Sequence, residues 1–494
     1  MRMKQLICSV LLFFSAAFLV SEPVSIPDPK LAKALAGKLG KKPGEEIHAA
    51  ECTRIFSLDL SSCGISSITG LKYCMNLTSL DLSDNDIREV RGLGNLPNLI
   101  SLNLEKNSIR LLAPLRTIPL LAELRIAYNR IDDISPLAGL TKLEKLYASH
   151  NAISDVTPLS GLTQLKVLNL SANTIKNISA LDALSGLEYL ELSDNSIQDI
   201  SAVQHMTDLK YLGLASNGIK DISPVKMVRQ IQVFNIQHNE ISDLYPLSSC
   251  IRLTKLRCHH NNISDIEYIS DLSLLEYLDC SHNRIRSIDS LKGCRHLKYL
   301  NVSRNRITDI TVLSALKDLR ILDLSENRIR DISSLETLEN IGVGRKKESV
   351  HISLASNRIL DVSPLVRNRN LEKGVGLNIS NNPIADRNRS IQALRKKGLT
   401  VISFYLRGES EIKEGEAVQI RAVEMVGSTV TDISAHCTWR VLRGGEYAAF
   451  DRNTPGRLIN TNASGKKQRV LIQAENNRKG KKKKEYDLLR VESS

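Results

Sequence analysis

Apolar positions recur along this chain in a fixed frame. LTSLDLSDNDI, LISLNLEKNSI, LAELRIAYNRI, LEKLYASHNAI and LKVLNLSANTI align as L-x-x-L-x-L-x-x-N-x-I. The Asn of that frame falls at Asn85, Asn107, Asn129, Asn151, Asn173, Asn195, Asn217, Asn239, Asn261, Asn283, Asn305 and Asn327, each 22 residues after the last. Cys63 fills the same place one period earlier, and longer steps of 30 and 25 residues lead to Asn357 and Asn382, giving 15 repeats. The x-L-x-L-x stretch alternates, which predicts a short strand of a parallel sheet with both Leu inward and the residues between them outward. The Asn turns the chain out of the strand, and its amide can satisfy loop backbone groups of its own and neighbouring coils. Repeat tails read D-I-S-P at Asp133-Ile134-Ser135-Pro136 and Asp221-Ile222-Ser223-Pro224, and close variants of it elsewhere. Proline disfavours helix in the residue before it, so the opposite side is expected to be short 3-10 or extended turns. Strands wider than the turns behind them make a curved coil with the sheet on its concave face.

A stack of coils must close its ends, because terminal coils expose apolar edges. Residues 26–50 read as a helical N-terminal cap. Asp28 caps the helix, Pro29 fits its first turn, and Leu31, Ala34, Leu35 and Leu39 form an apolar stripe that ends at Gly40. Residues 51–400 hold the repeats and a closing helix from Ser390 to Lys397, stopped at Gly398. In residues 401–494 the period vanishes. Val418–Val423, His436–Leu442 and Arg469–Ala474 alternate as strands between Gly, Asn and Asp turns, which reads as a small all-β Ig-like sandwich.

The frame is the leucine-rich-repeat signature, and the fold class is an α/β-type leucine-rich-repeat solenoid followed by that sandwich. The cap IPDPKLAKALAGKLGKKPGEEI, the 22-residue coils with DISPL tails and the module after them together resemble the internalin-type proteins of bacteria. DISAHCTWRVLRGGEYAAFDRNTPGRLI resembles a bacterial Ig-like domain of the invasin and intimin kind. The resemblance implies that Trp439 packs the sandwich core, that the G-R-L-I turn leads into a late strand, and that the protein binds another protein, in its most specific form on a host surface. A C-terminal sorting motif with an apolar tail, found in surface-anchored members, is not seen. The 22-residue coil also occurs in intracellular phosphatase-regulating repeat proteins.

The N-terminus argues against an intracellular setting. Arg2 and Lys4 precede an apolar run from Leu6 to Val20, the pattern of a secretory signal peptide within residues 1–25, with cleavage expected between Ala17 and Ser25. The mature chain is then secreted or held in the envelope of a bacterium. Its formal net charge of +13 favours anionic partners without choosing among them. Aromatic content of 4% fits stacked aliphatic ladders better than an aromatic-lined enzyme pocket. Motifs for zinc peptidase, serine hydrolase, phosphate-loop and dinucleotide chemistry are not found, so neither catalysis nor a cofactor is expected.

Binding is expected on the outward strand positions. The column six before each Asn runs Val167, Tyr189, Tyr211, Val233, Lys255, Tyr277, Tyr299, Ile321, flanked by Lys145, Tyr147, Arg257 and His259. Tyrosines with cations beside them fit a mixed or acidic protein patch. His238, His260 and His282, each just before a ladder Asn, invite a metal reading with Cys258 and Cys280. Those cysteines occupy inward Leu positions while the histidines sit at the strand edge, so no metal is assigned. Cys52 and Cys74 share a position in adjacent coils, as a disulfide or as two packed thiols. The run Arg478 to Lys484, with Lys481-Lys482-Lys483-Lys484 at its end, reads as a solvated hairpin or as a polyanion contact. The irregular stretch Gly342–Ser349 carries Arg345, Lys346 and Lys347. Without interleaved aromatics a nucleic acid is not expected. The competing function is a structural envelope component touching polyanion through that basic C-terminal region.

Overall fold

The computed structural model describes residues 23–401 apart from 43, 344–349, 372 and 386, with the backbone alone at 387, 388 and in the strands between 402 and 493. The expected signal segment up to residue 22, the basic residues Arg345 to Lys347 and Lys481 to Lys484 lie outside the described residues. The chain divides into two compact units, Met1–Leu253 and Thr254–Ser494. No helix among the described residues is long and apolar enough to cross a membrane.

The first unit opens on the expected cap. Helix α1 (Pro29–Lys38) has Asp28 as its N-cap, whose Oδ1 accepts from the amides of Lys30 at 2.9 Å and Leu31 at 3.2 Å. Oδ2 of the same carboxylate accepts from Ser66 N at 2.7 Å, Ser66 Oγ at 2.9 Å and Ser67 N at 3.0 Å, so one side chain ties the cap to the first coil. Burial pushes this carboxyl up, but the bonds from Ser66, Ser67 and Leu31 outweigh it and hold the group well below the usual carboxylate range. Ahead of the helix Pro23 bridges His48, and Val24 N donates to Ile47 O at 2.7 Å. A short helix α2 (Ala49–Cys52) follows, where Cys52 and Cys74 are both buried free thiols.

Three-residue strands then begin every 22 residues, from β1 (Ser57–Asp59) to β9 (Val233–Asn235), pairing parallel with their sequence neighbours. In the coil of Asn85, Leu77, Leu80, Leu82, Ile87, Val90, Leu93 and Leu96 are all at most 1% exposed, and the other coils repeat this core. Each such Leu adds about 1.5–3 kcal/mol of burial.

The Asn ladder works as a two-coil fork. Asn85 Nδ2 donates to Leu82 O at 2.9 Å and Ser83 O at 3.1 Å in its own coil and to Leu60 O at 2.9 Å in the preceding one. Its Oδ1 accepts from Ile65 N at 2.8 Å and Cys63 N at 3.2 Å. The fork recurs through Asn107, Asn129, Asn151, Asn173, Asn195, Asn217 and Asn239. The residue before the ladder position is left-handed at fifteen places among the described residues, from Ser62 to Asn381, with φ between 51° and 57°. The strand has to be turned out within one residue, and that conformation does it. Opposite the strands lie 3-10 turns such as Ser135–Leu137 and Ser223–Met227, each with Pro in its first turn. The Asp of the D-x-S pair holds the turn: Asp133 Oδ1 accepts from Ser135 N, and Asp221 Oδ1 from Ser223 N, both at 2.7 Å.

The second unit continues the same chemistry from β10 (Lys255–Arg257) to β16 (Thr400–Ile402). Asn261 donates to Cys258 O and His259 O of its own coil, and Asn283, Asn305, Asn327, Asn357 and Asn382 make the fork. Across the 30-residue step β13 (Ile321–Asp323) and β14 (Val350–Ser353) still pair, Leu322 with Ile352 and Asp323 with Ser353, and β14 is irregular against β15 (Gly376–Asn378) between Val350 and Ile352. The last helix spans Arg387–Lys396, and Gly398 behind it has φ 90°, close to the expected closure. Beyond it, among the described residues, the backbone forms ten short strands from β17 (Tyr405–Arg407) to β26 (Tyr486–Ser493), paired in separate groups. The strands expected at His436–Leu442 and Arg469–Ala474 fall at Cys437–Arg443 and Gln468–Asn476, whereas the one expected at Val418–Val423 is divided between Ala417–Gln419 and Arg421–Val426, which pair in different groups.

Candidate functional site

In the first unit the outward strand residues are organised by charge at one place and by stacked rings at another. Tyr147 ends β5 (Lys145–Tyr147), and the Arg125 guanidinium lies 4.3 Å from its ring centroid. Glu123 holds Arg125 at 2.7 Å and Lys145 at 3.3 Å. Burial pushes the Glu123 carboxyl up, but the bonds from Arg125 and Lys145 outweigh it and keep it below its ordinary value. Tyr147 is therefore paired with a cation and not with another tyrosine.

Tyr189 and Tyr211 do meet. They head β7 (Tyr189–Glu191) and β8 (Tyr211–Gly213) in register, with ring centroids 4.2 Å apart and planes at 11°. The Tyr211 hydroxyl donates to Glu191 Oε2 at 2.7 Å and accepts from Asn235 Nδ2 at 2.9 Å. Burial, and then the bond to Glu191, push this phenol far above its ordinary range. It therefore stays a neutral donor. Glu191 is also fixed from below, its Oε1 accepting from Ser193 N at 2.9 Å. Room for the carboxylate comes from Gly213, since a Cβ there would lie 2.2 Å from Glu191 Oε2.

In the second unit Lys255 pairs in register with Tyr277 at the head of β11 (Tyr277–Asp279). Its Nζ is 4.8 Å from the Tyr277 centroid, and the Arg257 guanidinium is 5.3 Å from it. Burial, with Arg257 beside it, lowers the Lys255 ammonium below its usual value. Tyr277 stacks on Tyr299 of β12 (Tyr299–Asn301) at 4.1 Å with planes at 3°. Burial, followed by Tyr277 and Asp279, raises the Tyr299 phenol. The unit thus presents two cations, a ring pair and then carboxylates, with Asp279 and Asp323 one strand to either side of Asn301. Burial raises Asp323, and Asp279 adds to the rise against the bonds from Ser325.

His259 meets His260 edge-on at 5.5 Å, and His260 stacks on His282 at 3.8 Å. Arg304 Nη1 lies 2.9 Å from His282 Nε2, which must accept because a guanidinium only donates. Cys258 and Cys280 face the core with their sulfurs 2.9 Å apart, as expected of inward positions, and burial raises the Cys280 thiol far above its usual value.

Sequence reasoning found the tyrosine column but missed Glu191, Asn235 and Gly213 as its supports. A second column, four before each Asn, carries them. Between Asp59 and Asp323 only Gly213 lacks a side chain in that column, which was the available signal.

The family model for leucine-rich repeats in two copies matches residues 119–161, 141–183, 185–227, 273–315 and 295–340, and a single-repeat model matches 73–88. The chain is similar to the solved internalin InlF of Listeria monocytogenes, with 32% identity and TM-score 0.63 over 66% of this chain and 100% of that one. A leucine-rich-repeat protein of Leptospira interrogans shares the fold at 22% identity and TM-score 0.61, over 71% of this chain and 97% of that one. The functional domain of InlJ from Listeria monocytogenes shares it at 18% identity and TM-score 0.51, over 95% and 97%. No curated protein sequence matches the chain.

Proposed function

Since this chain belongs to the leucine-rich-repeat family, whose members generally serve as non-enzymatic binding scaffolds, we propose that it is an exported bacterial protein that grips a protein partner with the outward face of its strands. The observation that carries this reading is the pre-set tyrosine pair in each unit, Tyr189–Tyr211 and Tyr277–Tyr299. Stacked rings, with the Tyr211 hydroxyl anchored as well, have already lost much of their side-chain freedom, so a partner that buries them gains contact area at little ordering cost. Tyr147, Lys255, Arg257 and His259 flank the pairs and favour acidic groups on the partner. Host-surface adhesion is the most specific form of the proposal, supported by likeness to internalins. The leader is proposed to end before Pro23, which already pairs with His48. The strands after residue 402 are proposed to form the Ig-like spacer.

The test is capture from host-surface and bacterial-envelope extracts by the mature chain, beside variants Tyr189→Ser/Tyr211→Ser and Tyr277→Ser/Tyr299→Ser. A protein held by the parent and released by either variant, with unfolding curves still cooperative, supports the reading. Capture that survives both pairs of substitutions removes it.

A further inference from the structure

A second surface lies on the other side of the ladder. Arg284, Arg306, Arg328 and Arg358 each follow a ladder Asn directly, and all four are exposed. Their amides donate to the carbonyls of Ile263, Ile285, Ile307 and Ile329 at 2.8, 2.8, 2.9 and 2.9 Å. Each arginine therefore stands at the same point of its coil, one coil beyond the last, even across the 30-residue step. Neighbouring strands are about 4.8 Å apart, and the arginines follow that spacing. Arg286 and Arg330, two residues further along, are exposed as well.

The position itself does not call for arginine. In the first unit it holds Asp86, Ser108, Arg130, Ala152, Thr174, Ser196, Gly218 and Glu240. Nor is the charge cancelled locally. Among the described residues none of the six arginines forms an ion pair. The nearby carboxylates are engaged elsewhere: Asp309, Asp331 and Asp361 accept from the turn amides of Thr311, Ser333 and Ser363 at 2.7–2.8 Å, and Glu326 is held by Arg304 at 2.7 Å.

From this row we infer a binding site for a linear anionic polysaccharide. A guanidinium offers a planar fork that matches sulfate and carboxylate groups, and a regular row of such forks suits a polymer with closely spaced anionic groups along one edge. Phe, Tyr and Trp do not occur among the row positions, so unpaired bases would find no stacking platform, and a polysaccharide fits better than a nucleic acid. The site is independent of the tyrosine pairs, which precede the ladder Asn where the arginines follow it.

The experiment titrates the full chain with a heparin oligosaccharide (sulfate esters), a polygalacturonate oligosaccharide (carboxylates) and single-stranded DNA of matched charge. The variants are Arg284→Ser/Arg306→Ser/Arg328→Ser/Arg358→Ser, the same four positions to Lys, and Lys481, Lys482, Lys483 and Lys484 each to Gln. Salt-sensitive binding of either polysaccharide is expected, weakened about tenfold or more by the Ser variant and less by the Lys variant, with the tail variant near wild type. Whichever polysaccharide binds identifies the anionic group. The site is overturned if neither binds, if DNA binds as tightly as the polysaccharides, if the Ser variant binds as wild type with an unchanged unfolding curve, or if the tail variant accounts for the loss. The Lys variant keeps every charge, so weakening there separates the fork from net charge and from misfolding.

Discussion

A Cβ on Gly213 would come within 2.2 Å of Oε2 of Glu191 on the adjacent strand, so the missing side chain is what lets that carboxylate reach the Tyr211 hydroxyl at 2.7 Å. The anchor of the first tyrosine pair thus depends on a residue that has no side chain of its own.

Gly213→Ala should push the carboxylate aside at small cost to the fold, because the displaced atoms end a flexible side chain. Tyr211→Phe in the wild-type background loses the Glu191 bond, worth about 1–2 kcal/mol. In the Gly213→Ala background that bond is already gone, so the same substitution should cost about 1 kcal/mol less. A urea-unfolding double-mutant cycle measures this, and strictly additive costs would contradict the proposed support.

Asn173→Ala strands Ile153 N, which donates to Asn173 Oδ1 at 3.0 Å, and takes one of two donors from the carbonyls of Ala148, Leu170 and Ser171, which keep Asn151 Nδ2, Asn195 Nδ2 and His150 N. Loss of about 1–3 kcal/mol is expected in urea unfolding. A change under about 0.5 kcal/mol, typical of an ordinary surface site, would remove the ladder from the stabilising features.

The neighbouring residue should respond in the opposite direction. Ala172 sits at φ 52°, where an L side chain crowds the following carbonyl at about 1–2 kcal/mol. Ala172→Gly relieves that strain and gives back part of it as unfolded-chain entropy, for a net gain of about 0.5–1 kcal/mol. A lower urea midpoint for the glycine variant would refute this.

Much of this was legible in the sequence, and the reasons differ by element. The coil boundaries, the Asn fork, the 3-10 turns and the capping Asp28 follow from one residue type doing one local job, so spacing alone reveals them. Tyr211 could be placed on the outward face for the same reason. Its partners could not, because Glu191 and Asn235 lie 20 and 24 residues away in sequence and their rotamers decide whether they meet. The left-handed residue before each Asn was likewise hidden: Lys106, Ala172, Arg304 and Glu326 hold it, and none of them announces a positive φ.

Asp28 makes the cap acid-sensitive. Its folded carboxyl titrates below the unfolded value of about 3.9. Its contribution is therefore fully present above that unfolded value and is lost as pH falls toward the folded one. Thermal midpoints should decline below about pH 4 in wild type, and Asp28→Asn should be less stable at neutral pH with a shallower acid decline. Parallel acid limbs for the two proteins would exclude the effect.

Buried thiols should be silent in the native state. Burial pushes Cys250 and Cys294 up to about 11, which leaves almost no thiolate at neutral pH. Iodoacetamide followed by peptide mass analysis should label Cys63, which is only part-buried, well before Cys250, Cys258, Cys280 and Cys294. Labelling of those four without denaturant at a rate like that of Cys63 would show that the coils open locally.

Each asparagine fork binds only its own coil and the one before it. An in-frame gain or loss of one whole period in the gene would therefore leave every remaining fork with a complete set of partners. It would, however, change the number of strands separating one of the residues proposed for recognition from the next. Repeat number is thus a heritable ruler: partner spacing can drift by whole units through recombination without a new fold having to evolve.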